Sequence, residues 1–444
     1  MTPLAACLAA ALALAAPAAT ATNWVVGNCN DSGGGSLRAT VASASNTDTV
    51  DLSQLSCSTI TLTTGAILID VGVNNLTLTA GNGAVNAVTI DGGFSAGHHN
   101  RVLEHLGTGT LTVKGLIITD AKYSSGPSFQ GGCIFSSGSV SLTASTVSHC
   151  TVVGSAASNN SVLGGGIFAA GGVYLLASTV TDNIAQAAGS NMALGGGIFS
   201  SGNVTAIYSI IANNSVTAGT IQKAEGGGLH ASANLNISYS TISGNQAQIA
   251  GGVHLHAISG SPTALISNST ISGNGSSDNF LGSGGVYINV PLTLSNSTIA
   301  FNTTNSSVAG GLAVYAATAQ LQSSIIAGNT AGGVASDFGG SAAASGANNL
   351  IFHSSVTVPA DTLVGVCPKL QPLADNGGAI LTHALLHTSP AIDMGNNAQA
   401  FTYDERGQFY PRVFGARADI GAYEWQGGSD NRIFHSGFES GCDE

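Results

Sequence analysis

Two short signatures alternate through the middle of this chain, and their spacing limits what it can fold into more than any other feature. The first is a glycine-rich entry into a short apolar run: GGCIF at 131, GGGIF at 164 and 195, GGGLH at 226, GGVHL at 251, GGVYI at 284 and GGLAV at 310. The second is Ser-[Thr/Ile]-[Val/Ile]-x-x-Asn, starting at Ser178, Ser209, Ser240, Ser269, Ser297 and Ser324. An earlier copy at Ser145 carries Cys150 in place of the Asn. From Ser145 on, the starts lie 33, 31, 31, 29, 28 and 27 residues apart. A nearly constant count with a drifting remainder describes one solenoid coil plus a loop of variable length. Propeller blades need about 40 to 50 residues, so a stacked coil fits better.

Within each repeat the apolar runs are short and β-like, as in GGGIFAAGGVYLLASTVTDN (164–183), and none has the length and period of an amphipathic helix. The fold expected is therefore all-β, a right-handed parallel β-helix. Stacking brings equivalent positions into columns. Ile167, Ile198, Leu229, Val253, Val286 and Leu312 form one inward apolar column, and Val147, Val180, Ile211, Ile242, Ile271, Ile299 and Ile326 form another. Asn183, Asn214, Asn245, Asn274, Asn302 and Asn329 form an amide ladder that can pair with the coils above and below, at a position that tolerates a left-handed turn.

Alternating strands over residues 58–120 extend the solenoid upstream, and SGGGSLRATVASA (32–44) reads as a short capping helix with Ser36 as N-cap. The organisation expected is a signal peptide over 1–21, a cap and first coils over 22–130, regular coils over 131–330, last coils and a closing cap over 331–425, and a flexible tail over 426–444. The signal rests on an Ala/Leu run at 4–19 and the Ala19-Thr20-Ala21 site, although no Lys or Arg precedes the run. A lipoprotein-like Leu4-Ala5-Ala6-Cys7 precedes most of that run and is the less favoured reading. Later segments are too short for a membrane span. Removing the signal leaves six cysteines, which allow fifteen pairings; Cys29–Cys57 is the favoured local pair. These features point to a secreted or cell-surface protein, expected to be a monomer.

Composition narrows the function. Net charge is −12 with ten Lys and Arg, a poor surface for nucleic acid or anionic membrane. Between 131 and 330 the acids are Asp182, Glu225 and Asp278, and Lys223 is the one Lys or Arg. That is too few for acid–base chemistry in the central coils. The upstream charges available to an enzyme are Asp70, Asp91, Glu104, Lys114 and Asp120, which are widely spread. Asp375, Asp393, Asp404, Glu405, Arg406, Arg412, Arg417, Asp419 and Glu424 gather near the C-terminus. They read as a salt-bridged cap in preference to a carboxylate or calcium site, since no metal-loop spacing surrounds them. No cofactor is expected, because nucleotide and nucleophile motifs are missing. No metal site is expected either: there is no C-x-x-C, and His383 and His387 lack the H-E-x-x-H pattern. His230, His254 and His256 as metal ligands are the less favoured alternative.

One column suggests binding. Phe135, Phe168, Phe199, His230, His254 and Tyr287 directly follow the inward apolar column, so strand alternation turns them outward. Exposed rings at coil spacing could stack sugars or meet a partner protein. Alternatively the rings stack on one another beneath the loops and stabilise the coil.

Several motifs resemble a known group. GGGIF with STVTDN is similar to the repeats of bacterial right-handed β-helix surface proteins, including polymorphic outer-membrane and autotransporter passengers. CNDSGGGSLRATVASA resembles the CSLREA-type N-terminal segment. PLADNGGAILTHALLHTSPAIDMG (372–395) with YDERGQFYPRVFGARADIGAYE (403–424) resembles the choice-of-anchor Q region, although Ala418 stands where many relatives have Cys. The tail NRIFHSGFES (431–440) resembles a C-terminal signature of some exported proteobacterial proteins. The resemblance implies a surface or secreted β-helix without an established catalytic mechanism. The function expected is an adhesin-like, noncatalytic scaffold for glycans or a protein partner. The alternative is a polysaccharide lyase or glycoside hydrolase of the pectate-lyase-like class.

Overall fold

A computed structural model describes residues 21–427, apart from 126–127, 156–159, 190, 220–222, 258 and 317. The segment expected to be a signal peptide lies, but for Ala21, outside the described residues. So does nearly all of the expected tail, with Cys442 in it. The described chain winds into a parallel β-solenoid of about eleven turns. Twelve strands, from Asn23–Val25 to Ala343–Ala347, make its long face. Ten more, from Ile67–Ile69 to Phe338–Gly340, make a second face. The third face is a flank that in most coils carries two short strands, such as Thr179–Thr181 and Ile184–Gln186.

The predicted columns are in register. Ile134, Ile167, Ile198, Leu229, Val253, Val286 and Leu312 pair successively along the second face, all fully buried. With the flank column from Val147 to Ile326, they fill one continuous core. A fully buried aliphatic side chain contributes roughly 1.5–3 kcal/mol, so each coil adds a repeating increment of burial.

The Asn ladder is present and completely buried. Each Nδ2 donates to the Oδ1 one coil on, over 2.8–3.0 Å from Asn183 to Asn329. Each Oδ1 from Asn214 to Asn329 also accepts the backbone N–H of the preceding Asn. The ladder ends on Asp337, whose Oδ1 takes Asn329 Nδ2 at 2.8 Å. The left-handed turn was expected at the Asn itself but falls one residue earlier, at Asp182, Asn213, Gly244, Gly273, Phe301 and Gly328. A second buried ladder runs through the repeat serines: Ser145 N–H donates to Ser178 Oγ, Ser178 N–H to Ser209 Oγ, and so on to Ser324 and Asn349.

The glycine motif follows from the amide ladder. Gly164, Gly195 and Gly226 turn the chain at φ near +70°. A Cβ on Gly166, Gly197 or Gly228 would lie 2.9, 2.8 or 3.1 Å from Cγ of Asn183, Asn214 or Asn245, so glycine and ladder Asn occupy one space. In the first copy both members change together, Gly to Cys133 and Asn to Cys150, and the two form a buried disulfide. Cys29 and Cys57 pair as anticipated.

At the N-terminal end Ser36 caps the helix Leu37–Ser43, accepting Ala39 N–H at 3.2 Å, while Leu37 and Val41 close the core. The strands Phe338–Gly340, Ala343–Ala347 and Leu350–Ile351 continue the coils, with Val356 and Val358 packed against the core beyond them. Residues 367–425, expected to close the end of the solenoid, lie along its flank as a clasp. Leu370, Leu385, Ala391 and Ile420 pack on Ala300, Ile325, Ala327 and Leu350. The clasp also grips the left-handed corner that precedes each repeat serine. Tyr239 packs edge-on against Phe401, Asn268 donates to Tyr403 O, Asn296 donates to Asn396 O, and Ser323 Oγ accepts Asn396 N–H. The coils outside the clasp carry Ala144 and Ala177 at that corner.

Candidate functional site

The ring column lies where alternation puts it, outside the coil core, but four of its six rings are buried where solvent exposure was expected. Phe168, Phe199, His230 and His254 are only 6, 8, 5 and 3 % exposed, while Phe135 and Tyr287 are half-buried. The phenyl rings stack nearly parallel, with centroids 5.3 and 5.5 Å apart, and His230 continues the stack at 5.4 Å. Arg101 covers its upstream end, with Cζ 3.6 Å from the Tyr123 centroid and 5.0 Å from that of Phe135. The cover comes from the turn at the first glycine. It brings a short four-stranded sheet, Phe129–Gln130, Val162–Leu163, Ala193–Leu194 and Ala224–Glu225, directly before the ring-bearing strands. Phe168, Phe199, His230 and His254 thus offer almost no ring surface on which a sugar could stack, and Phe135 and Tyr287 at the two ends of the column keep a part of theirs.

The column changes chemistry halfway. In that short sheet Leu163, Leu194 and Glu225 are in register. Where the cover is Leu the rings are Phe168 and Phe199; where it becomes Glu225 they become His230 and His254. Nδ1 of His254 lies 3.0 Å from Nδ1 of His230 and 3.1 Å from Oε2 of Glu225, and the third edge, His230 to Glu225, is 3.9 Å. Burial, helped by the charges of His254 and His256, holds His230 well below the ordinary imidazole range. Burial alone would raise Glu225, but the hydrogen bond from His254 and nearby positive charge hold it below its usual value. Sequence reasoning set Glu225 aside as an isolated acid. Counting by columns would have found it, because Leu163, Leu194 and Glu225 are successively 31 residues apart.

Of the upstream acids, Asp91 and Asp120 come together on the flank. Ser95 binds Asp120 through N–H and Oγ, both at 2.9 Å. Burial first, then the neighbouring Asp120, raises Asp91 above the ordinary range. Glu104 stands on another face, paired with Arg101, and Lys114 on the long face.

Of the C-terminal charges, Asp404, Glu405, Arg406, Arg412, Asp419 and Glu424 are buried inside the clasp, Asp393 is half-buried, and Asp375 and Arg417 are exposed. Arg406 binds Asp404 (Nη2 to Oδ2, 2.7 Å) between the rings of Tyr410 and Tyr423, each 3.9 Å from its Cζ. Fully buried Arg412 pairs with Glu424 at 2.9 Å. Glu405 has no cation partner in this network. It accepts Thr270 N–H at 2.9 Å, and burial raises its carboxyl well above the ordinary range. The expectation of a salt-bridged assembly fits Asp404, Arg406, Arg412 and Glu424.

Asp404 and Arg406 lie in a loop, closed by the Tyr403–Pro411 bridge, that displays Phe409. Phe409 is 83 % exposed and sits at φ +83°. Beside it opens a cavity of about 580 Å³ lined by Tyr208 of the solenoid and Tyr403, Arg406, Gln408, Phe409 and Tyr410 of the clasp. Among the described residues no helix is long and apolar enough to cross a membrane. Comparison with protein-family models, curated proteins and solved structures found no match.

Proposed function

We propose that this chain is an exported, noncatalytic binding protein whose clasp takes a carbohydrate in the cavity beside Phe409. One observation carries the reading. A bulky residue at positive φ costs on the order of 1–3 kcal/mol, and Phe409 adopts that conformation with its ring in water, in the same loop as the buried Arg406–Asp404 pair. An exposed ring beside three tyrosines suits the apolar face of a pyranose, and Gln408 with the tyrosine hydroxyls suits its oxygens. The solenoid supplies a stiff support, since Tyr208 belongs to a coil and the loop to the clasp. Export is supported by the Cys29–Cys57 and Cys133–Cys150 disulfides, which persist in oxidising compartments.

Calorimetric titration against a panel of soluble polysaccharides tests the reading. The intact protein binds at least one of them, and Phe409→Ala weakens that binding about tenfold or more, a loss of ~1.4 kcal/mol. No binding by the intact protein, or equal binding by the variant, overturns it.

A further inference from the structure

We propose that Glu225, His230 and His254 form a binding site for one divalent transition-metal ion of the zinc class. This inference is independent of the carbohydrate reading and concerns a different part of the molecule. Three donor atoms converge from three strands: Oε2 of Glu225 from the short sheet, and Nδ1 of His230 and His254 from adjacent coils. Their separations are 3.0, 3.1 and 3.9 Å. Zinc bonds to nitrogen and oxygen are about 2.0–2.1 Å, which makes the edge of a tetrahedral site about 3.3 Å. The three observed edges bracket that value, so one face of a tetrahedron is already laid out. The fourth position is left to water or to His256, which is exposed and stacks on His254 with centroids 5.9 Å apart.

The repeat itself supplies the second argument. Two preceding coils fill these positions with Leu163, Leu194, Phe168 and Phe199, an apolar packing that the fold plainly accommodates. Three polar residues replace it together, at positions far apart in sequence and adjacent in space. Packing does not require that exchange. A hydrogen-bonded trio satisfies it only in part, because Nδ1 of His254 has at most one proton and faces two partners. A metal ion uses all three lone pairs. Two imidazoles with one carboxylate select zinc, cobalt, nickel or copper over magnesium and calcium, which take oxygen ligands.

The test uses the tag-free full chain, stripped by a chelator and titrated with Zn²⁺ by calorimetry, with Co²⁺ as a spectroscopic probe. The control variant is Glu225→Leu/His230→Phe/His254→Phe, which rebuilds the apolar packing of the preceding coils and so folds. Expected are one Zn²⁺ per chain, d–d bands of nitrogen-ligated Co²⁺, and a Zn²⁺-dependent rise in the unfolding temperature, all lost in the triple variant. His254→Phe alone weakens binding at least 100-fold. Zinc binding that persists in the triple variant, no zinc binding by the intact chain, or tighter binding of Mg²⁺ or Ca²⁺ overturns the proposal. The last two outcomes would leave a hydrogen-bonded trio or an oxygen-ligand site.

Discussion

Replacing Asn245 with Ala removes a single rung from the amide ladder, and the cost can be worked out from its partners. Asn245 Nδ2 donates to Asn274 Oδ1 and to Ile211 O, both at 2.9 Å. Its Oδ1 accepts Asn214 N–H at 2.9 Å and Asn214 Nδ2 at 3.0 Å. Alanine leaves those two donors on Asn214 stranded in a fully buried site, with Ile211 O and Asn274 Oδ1 each short of one donor. A stranded buried group costs about 1–3 kcal/mol, so two stranded donors amount to ~4 kcal/mol. Every 1.4 kcal/mol is tenfold, so local opening at this coil becomes roughly a thousand times more frequent. Hydrogen exchange read at the Asn214 amide measures this directly, and urea unfolding measures the global share. The control is Asn234→Ala at the exposed corner before the strand Leu235–Ser238, where Asn234 donates to Asn203 at 3.1 Å and accepts Thr263 N–H at 3.0 Å; water can replace both partners there, and the loss stays within about 0.5 kcal/mol. Unchanged protection at Asn214, or equal destabilisation by the two variants, would refute the argument that the ladder is a principal brace of the coils.

Two further outcomes follow from the same structure. Phe168→Ala cuts the middle out of the ring stack and should cost ~3–5 kcal/mol in urea unfolding while leaving carbohydrate binding intact; a loss below about 1 kcal/mol would mean the rings are not a packing element. Burial raises Asp337 to about 6, against roughly 3.9 in an unfolded chain. The folded protein therefore holds this proton more tightly, and the associated stability is present below about pH 4 and is lost as pH rises through 6, at most about 3 kcal/mol. Carbon-13 carboxyl titration should place Asp337 near pH 6, with urea midpoints lower at pH 7.5 than at 4.5; a midpoint near 4 would contradict this.

Much of the solenoid was legible because stacking converts sequence spacing into spatial columns. The inward columns, the Asn ladder, the Ser36 cap and the Cys29–Cys57 pair all follow from spacing or local chemistry. What was missed depends on contacts that spacing does not encode. Alternation places Phe168 outside the coil core, but whether outside means water depends on what the turn at Gly164 brings back over it. The Cys133–Cys150 bridge needed the knowledge that Gly166 and Asn183 share one space. The clasp has no repeat of its own, and the corner it grips carries Tyr239, Asn268, Asn296 and Ser323 in a left-handed conformation, where glycine is the easier choice. The place of Glu225 beside His230 and His254 is not visible when charge is counted along the chain instead of across coils.

The amide ladder also gives the solenoid a sense of direction. From amide to amide, every Oδ1 accepts from the N-terminal side and one Nδ2 proton goes to the C-terminal side, the other returning to a carbonyl of the preceding coil, so the two ends of the ladder have different chemistry. The start is met by a donor, the Cys150 N–H, at 3.0 Å from Asn183 Oδ1. The finish needs a group that only accepts, and Asp337 supplies it, turning its other oxygen to the His353 N–H at 2.8 Å. Duplicating or deleting a whole interior coil leaves every rung matched, so such a chain can change length by internal repetition between the Cys133–Cys150 coil and Asp337.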